Sequence, residues 1–168
     1  YLLSVSNFTL VDCIITNNGA EGPSGNSYQV GGGIYANNSY GTIRNCLVAT
    51  NRAKALSGTS NGYGYGGGLY VKSGQWVIER CAFVNNLASA QNRQDTLGGG
   101  LHLAGGPHLL RNTLIAGNNA DGYWYKTHGG DGIYSSGVVT GENCTIVDND
   151  EEGIYHTAAF TLTNSIVW

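Results

Sequence analysis

Two carboxylates interrupt a column of glycines that recurs along the chain. In three copies of a short motif the residue before the last glycine is itself glycine, whereas the fourth and fifth copies carry Asp131 and Glu152. Hydrolysis of a glycosidic bond uses a pair of carboxyl groups about 5–9 Å apart. His128 lies close by in the sequence and adds a titratable group. Asp131, Glu152 and His128 are therefore the candidate catalytic residues, and a pair of solvated carboxylates without catalytic function is the alternative that we favour.

Aromatic side chains form a second group that could bind a ligand. One aromatic residue follows the glycine motif in every copy, and alternation along a strand predicts that these side chains point outward in a row. The members of this row are Tyr35, Tyr70, His102, Tyr134 and Tyr155. Such rings could form a platform for sugar rings or a partner chain. The alternative, which we favour, is a ladder that only stabilises neighbouring strands.

Four cysteines share one position of a repeat. They are Cys13, Cys46, Cys81 and Cys144. Parallel stacking would place their Cβ atoms about 4.8 Å apart, whereas a disulfide needs about 3.5–4.5 Å. Thr113 and Ser165 occupy the same position in other copies, as expected for a small buried side chain. We therefore expect reduced cysteines in the core, and since no histidine shares the column we expect no metal and no cofactor.

The composition is that of a folded chain with little charge. Of its 168 residues, 41% are hydrophobic, 27 are glycine and 11% are charged, with a net charge of −3. This balance provides no basis for binding nucleic acid or an anionic membrane. No apolar run approaches the ~20 residues of a transmembrane helix, so we expect no membrane insertion. The chain starts and stops within what reads as a repeat, which predicts a fragment of a longer solenoid without its end caps.

A repeat of about 30 residues positions these candidates. The motif Gly-Gly-Gly-Ile-Tyr at 31–35 returns in related form at 66–70, 98–102, 130–134 and 151–155. An apolar block accompanies each motif. The marker positions of this block are Cys13, Cys46, Cys81, Thr113, Cys144 and Ser165. Short β-branched runs separated by glycine and asparagine predict strands, and one coil per repeat with strands about 4.8 Å apart is a β-solenoid.

The motif, the Thr-Ile-x-Asn-Cys block and a later Asn-x-Ala together resemble the right-handed parallel β-helix repeats of bacterial surface proteins. The pattern is most similar to the polymorphic outer membrane protein type, within the pectate-lyase-like superfamily, over the whole chain. The resemblance implies a β-helix that is extracellular or at the cell surface. Asp131-Gly132-Ile133 also resembles the place where polygalacturonases carry acidic residues. Their Asp-Asp, Gly-His-Gly and Arg-x-Lys strings are missing, as are the calcium-binding aspartates and the catalytic arginine of pectate lyases.

Two further columns predict the register of the coils. The position before the marker is mostly asparagine, and stacked amides there could bond to each other inside the solenoid. This column is Asp12, Asn45, Arg80, Asn112, Asn143 and Asn164, of which we expect Asp12 and Arg80 to point outward. One residue earlier, Arg44, Glu79, Arg111 and Glu142 alternate in sign. The alternation is favourable only if these residues are neighbours on successive strands.

The same alternation predicts an apolar outer surface. If the cysteines point inward, then Ile14, Leu47, Leu114 and Ile166 point outward. Exposed apolar patches of this kind mark contacts with other molecules. These four residues are therefore the candidate partner face, for another chain or another part of the parent protein.

Insertions of variable sequence lie between the repeated blocks, at 21–30, 54–65, 89–97 and 121–129. They share a register, so we expect them to emerge as loops on one side of the solenoid, where function usually concentrates. The aromatic residues that they carry include Tyr28, Tyr63, Tyr65, Tyr123, Trp124 and Tyr125. Of these, Tyr123, Trp124 and Tyr125 are candidate ligand-binding residues in the richest loop.

The sequence thus predicts one all-β domain over 1–168, a right-handed parallel β-helix of about six coils with loops inserted on one side. The expected function is non-enzymatic, as a structural, adhesive or assembly module outside the cell or on its surface. Its partners would be further coils of the parent chain, or a second copy bound through the open ends or the apolar face. The alternative is a carbohydrate-active enzyme or polysaccharide-binding module that uses the loops and the Asp131/Glu152 column.

Overall fold

Parallel strands make up the regular structure of the protein. The computed structural model describes residues 1–22, 27–56, 62–90, 95–122 and 128–168, and in these ranges it contains strands but no helix. The strands form five sheets with parallel neighbours. The chain winds as a parallel β-solenoid of about 4 turns, which confirms the predicted β-helix.

Three six-stranded sheets surround the main core. Sheet 1 contains Leu2–Leu3, Ile34–Asn37, Leu69–Val71, Leu101–Leu103, Ile133–Ser135 and Ile154–His156. Sheet 2 contains Phe8–Val11, Gly41–Arg44, Trp76–Glu79, His108–Arg111, Val139–Glu142 and Phe160–Thr163. Sheet 3 contains Ile14–Thr16, Leu47–Ala49, Ala82–Val84, Leu114–Ala116, Thr145–Val147 and Ile166–Val167.

Two four-stranded sheets form an extension of the solenoid, called the wing from here on. Sheet 4 contains Gly19–Gly22, Arg52–Ala55, Leu87–Ala90 and Asn119–Asp121. Sheet 5 contains Ser27–Val30, Gly62–Tyr65, Thr96–Leu97 and His128–Gly129. The insertions were predicted as loops, and this is wrong for the parts of them that lie in these strands. Each insertion pairs with the insertion of the next turn, because this satisfies the backbone hydrogen-bonding groups of both.

The expectation of six coils is also wrong. Sheets 1 to 3 have six strands each, but sheets 4 and 5 have only four. After Thr145–Val147 in sheet 3 the chain passes directly to Ile154–His156 in sheet 1, without a wing. Each marker residue directly precedes a strand of sheet 3. The number of markers is therefore the number of strands in that sheet, which is larger than the number of complete turns.

Large apolar side chains from sheets 1, 2 and 3 fill the core. Leu101 of sheet 1, Trp76 and Ile43 of sheet 2 and Phe83 of sheet 3 are at most 1% exposed. Burying one such side chain contributes roughly 1.5–3 kcal/mol. The strand alternation places these residues inward on every turn, so the hydrophobic core is continuous along the axis.

The cysteine column lies at this core. Cys46, Cys81 and Cys144 belong to the buried cluster, and the partly buried Cys13 packs against it. All four are free thiols. Burial raises the pKa of the Cys81 and Cys144 thiols, which opposes formation of the reactive thiolate.

The two layers of the wing are held together by small residues. Ala53, Ala88 and Gly64 are buried between sheets 4 and 5. A Cβ atom on Gly64 would lie only 2.6 Å from the main-chain oxygen of Ser89. The sheets approach this closely only because one of them carries glycine at the contact.

An asparagine ladder runs along the core, but in a different column from the one predicted. The Asn51 side-chain amide donates to the Asn86 side-chain oxygen at 3.0 Å, and Asn86 donates to Asn118 at 3.0 Å. These three residues are at most 1% exposed. Each also donates to a main-chain oxygen of the preceding turn, as Asn86 does to Val48 at 2.9 Å.

The predicted column, one residue before the marker, lies instead at exposed turns. Asn45, Arg80 and Asn143 are exposed and have φ angles of 53°, 51° and 53°. Asparagine tolerates this left-handed conformation better than most residues, which explains its frequency there. The expectation that this column is internal is therefore wrong. Its predicted side-chain bonds between turns are present, as from Asn45 to Asp12 at 2.8 Å and from Asn164 to Asn143 at 2.6 Å, and Asp12 and Arg80 are exposed as expected.

The charge column and the outer surface of sheet 3 follow the predicted register. Glu79 lies opposite Arg44 on one neighbouring strand and opposite Arg111 on the other, and Arg111 donates to the Glu142 carboxylate at 2.8 Å. The four candidates of the apolar face stack in one column of sheet 3. Their exposures are 74% for Ile14, 37% for Leu47, 36% for Leu114 and 61% for Ile166.

Candidate functional site

A continuous row of aromatic rings lies on the outer surface of sheet 1. The register places the five predicted members on successive strands. Ring centroids are 5.5 Å apart for Tyr35 and Tyr70, 4.6 Å for Tyr70 and His102, and 4.6 Å for His102 and Tyr134. The row ends in a stacked pair, Tyr134 and Tyr155, at 5.8 Å. The outward row predicted from the sequence is therefore present in the structure.

A second bank of rings comes from sheet 5 of the wing. Tyr28 and Tyr63 stack at 4.5 Å with their planes within 10° of parallel. Tyr65 lies 6.1 Å from Tyr70 of sheet 1 and 5.2 Å from His102. Sheets 5 and 1 thus meet at a corner with aromatic rings on both sides, and this corner is called the aromatic cleft.

The glycine motif makes the corner between the two sheets. Gly31 and Gly66 have φ angles of 61°, a conformation that L-residues with side chains rarely adopt. A Cβ atom on Gly66 would lie 2.5 Å from the main-chain oxygen of Leu69. The motif therefore sets the angle of the cleft, and its backbone N–H groups bond to the neighbouring turn, as Gly31 does to Tyr65 at 3.0 Å.

The open part of the cleft lies in the first half of the chain. Its cavity of about 420 Å³ is lined by Tyr28, Val30, Tyr35, Tyr70 and Lys72. This volume is within the range of roughly 300–1,000 Å³ that is usual for small-molecule sites. Tyr28 is 59% exposed and forms the outer edge. Lys72 was missed at the sequence level, although it stands two residues after Tyr70 and so faces the same side of the sheet.

His102 is a member of the row but presents no contact surface. Its side chain is 5% exposed, and Tyr65 covers it from the wing. Burial lowers the pKa of His102 to about 3, against the opposing effect of a backbone hydrogen bond with Leu97. The imidazole is therefore neutral at physiological pH. His102 supports the floor of the cleft and is closed to a ligand in this structure.

The phenol groups of Tyr35, Tyr65 and Tyr70 stay protonated over the whole physiological range. Burial raises the pKa of Tyr70 to about 12, with smaller contributions from neighbouring phenols including Tyr35. Burial likewise raises the pKa of Tyr35 and of Tyr65. These side chains can consequently both donate and accept hydrogen bonds, as the hydroxyl groups of a sugar require.

The candidate acidic residues lie close together, but their carboxylates accept hydrogen bonds from backbone N–H groups. The N–H groups of Glu152 and Glu151 donate to one Asp131 oxygen at 2.7 and 3.0 Å, and Ala120 donates to the other at 2.6 Å. Asp131 is only 4% exposed. Glu152 accepts from the N–H of Gly130 at 3.3 Å. A catalytic function for this pair stays a prediction.

A small cavity lies next to Asp131. It measures about 120 Å³ and is lined by acidic residues that include Asp121, Asp150 and Glu151. That volume is well below the usual range for small-molecule sites. In the described ranges, no group of three or more His, Cys, Asp or Glu side chains is arranged to hold a metal ion.

The remaining candidates fall outside the described part of the molecule. Tyr123, Trp124 and Tyr125 lie outside the described residues, as does the side chain of His128, whose backbone begins a strand of sheet 5. No helix in the described ranges is long and apolar enough to cross a membrane. No protein-family model matches the chain, and searches of curated proteins and of solved structures found no match.

Proposed function

We propose that the protein is a non-enzymatic recognition module whose aromatic cleft binds a polysaccharide chain. The observation that supports this most is the open cavity between two banks of tyrosines, with Tyr28 on one side and Tyr35 and Tyr70 on the other. The apolar face of a sugar ring stacks favourably on an aromatic ring, and protonated phenols bond to its hydroxyls. The open part of the cleft crosses two adjacent strands of sheet 1, those of Tyr35 and Tyr70, and so would hold a short stretch of the polysaccharide chain.

The rigidity of the site supports binding without catalysis. The tyrosines project from paired strands, so little conformational freedom remains to be lost on binding. The acidic residues of the chain that were candidates for hydrolysis are engaged with backbone amides instead. We further propose membership of the polymorphic outer membrane protein type of β-helix and a place outside the cell or at its surface, both on the resemblance of the repeat.

Binding to a panel of soluble neutral and acidic polysaccharides, measured by affinity electrophoresis and then by calorimetry, tests the proposal. Removing one stacked ring, as in Tyr35→Ala or Tyr70→Ala, loses about 0.5–1.5 kcal/mol, or about 2- to 12-fold in Kd. Tyr40→Ala is the matched control, since Tyr40 is 46% exposed and lies outside the cavity lining. The proposal fails if no polysaccharide binds, or if the Tyr40 variant weakens binding as much as the cleft variants.

Assembly through the outer surface of sheet 3 is a second candidate function. Its outward residues in the strands Ile14–Thr16, Leu47–Ala49, Ala82–Val84, Leu114–Ala116 and Thr145–Val147 carry no charge, and Ile14 is 74% exposed. The six strands, five of three residues and one of two, cover roughly 25 by 10 Å, or about 250 Å². A stable dimer buries about 800 Å² per partner, so this face alone supports a weak contact between copies of the chain.

Sedimentation at increasing protein concentration tests the assembly candidate. Leu47→Lys and Leu114→Lys place charges in the middle of the face and should reduce any concentration-dependent association. Val138→Lys is the control, because Val138 is 45% exposed and lies outside the strands of sheet 3. This candidate is excluded if the unsubstituted protein stays monomeric up to millimolar concentration.

A further inference from the structure

The wing ends before the solenoid does. The strands Asn119–Asp121 and His128–Gly129 are the last of sheets 4 and 5, and the next turn passes from sheet 3 to sheet 1 without contributing to either. These two strands therefore have an edge with no following strand inside a chain that continues beyond them. An open edge leaves N–H and C=O groups that must bond elsewhere and that invite pairing with other chains.

Earlier turns show which bonds the following strand would have made. In sheet 5 and its corner, the N–H of Gly31 donates to Tyr65, that of Gly66 to Leu97, and that of Gly98 to Gly129, at 3.0, 3.0 and 3.2 Å. The equivalent group in the last wing turn is the N–H of Gly130. Its acceptor is the side-chain carboxylate of Glu152, at 3.3 Å.

Asp131 performs the same task for sheet 4. Its first carboxylate oxygen accepts from the N–H of Ala120, in the middle of the edge strand, at 2.6 Å. Its second oxygen accepts from the N–H groups of Glu151 and Glu152, which belong to the shortened connection. In the same connection, the main-chain N–H of Asp150 donates to the main-chain oxygen of Asn118 at 3.1 Å. The edge strand is thereby tied to the segment that replaces the missing wing.

Space explains why the carboxylate occurs only at this turn. At Gly32, Gly67 and Gly99, a Cβ atom would lie 2.4, 2.5 and 2.3 Å from the backbone of the next wing strand. No side chain fits there while that strand exists. A side chain in this column and a following wing strand therefore exclude each other, and Asp131 occupies the position that the strand would have taken.

We propose that Asp131 and Glu152 form a carboxylate cap that terminates the wing. Each supplies an acceptor in place of a carbonyl of the missing strand. The exposed acids around them, Asp121, Asp150 and Glu151, leave the closed edge negatively charged, which disfavours the approach of another strand. The two residues that break the glycine column thus prevent edge-to-edge association of the wing.

Amide hydrogen exchange, followed by NMR on the intact chain, tests the cap. Asp131→Asn should raise the exchange rate of the Ala120 amide at least tenfold, and Glu152→Gln should do the same at Gly130. Glu151→Gln is the matched control, because it alters a neighbouring acid and keeps the backbone N–H that donates to Asp131. The amide of Leu110 in sheet 2 should have the same exchange rate in all three variants as in the unsubstituted protein.

The proposal is overturned if Asp131→Asn and Glu151→Gln give the same exchange at Ala120, or if Leu110 accelerates as much as Ala120. The second result would mean that Asp131 stabilises the whole fold and has no specific effect on the edge. If Asp131→Asn does not fold, the comparison of Glu152→Gln with Glu151→Gln decides, since Glu152 is exposed and its replacement leaves the core intact. Equal exchange at Gly130 in those two variants refutes the cap.

Discussion

Acidification should destabilise the protein through His102. This side chain is 5% exposed among Tyr65, Tyr70 and Tyr134, and burial lowers its pKa from 6.5 to about 3. Between these two values the unfolded chain binds a proton at His102 and the folded chain does not. Stability is therefore fully retained above about pH 6.5 and falls as the pH decreases towards 3.

The size of the effect follows from the shift. One pKa unit corresponds to about 1.4 kcal/mol, so a shift from 6.5 to about 3 costs up to about 5 kcal/mol by pH 3. At pH 4 the loss is about 3 kcal/mol, a large part of the 5–15 kcal/mol by which typical domains are stable. His108, 1% exposed in the core, has its pKa lowered by burial as well and adds to the loss in the same direction.

Denaturant unfolding at several pH values between 7 and 4 measures this loss, with tryptophan fluorescence and circular dichroism as independent probes. His102→Phe removes the titrating group and should flatten the pH dependence by about 3 kcal/mol at pH 4. His156→Gln, at an exposed histidine, is the control. If the unsubstituted protein and the His102→Phe variant lose the same free energy of unfolding as the pH decreases, the neutral buried state assigned to His102 is wrong.

Two predictions concern the packing of the wing and the asparagine ladder. Gly64→Ala should lower the melting temperature clearly, since its Cβ atom would lie 2.6 Å from Ser89, whereas Gly19→Ala should change it little, because the nearest atom there is a flexible side chain at 3.4 Å. Asn86→Ala should cost at least about 3 kcal/mol in urea unfolding, because it removes the side-chain oxygen that accepts from the main-chain N–H and the side-chain amide of Asn51 and the amide that donates to Val48 and Asn118, all in the core. A ladder variant as stable as the parent would refute the assigned hydrogen bonds.

The sequence alone determined the solenoid and its register. In a parallel stack, residues at the same place in successive repeats become neighbours in space, so a column of the alignment is already a set of contacts. Alternation along each strand then separates inward from outward side chains. For this reason the aromatic row on sheet 1, the alternating charges around Glu79 and the exposed apolar column of sheet 3 were predictable from local pattern.

The tertiary structure alone decided the wing and what it does to the site. The wing depends on close contact between glycine and alanine in two layers, and such residues carry no alternation of polarity that would predict a strand. The covering of His102 by Tyr65 depends on the angle between two sheets, which no column shows. The sequence pattern also could not identify which asparagine column forms the buried ladder, because such a column is equally consistent with exposed left-handed turns and with buried amide bonds. Asp131 and Glu152 were found as exceptions, but their bonding to backbone amides is visible only once the missing wing strand is placed.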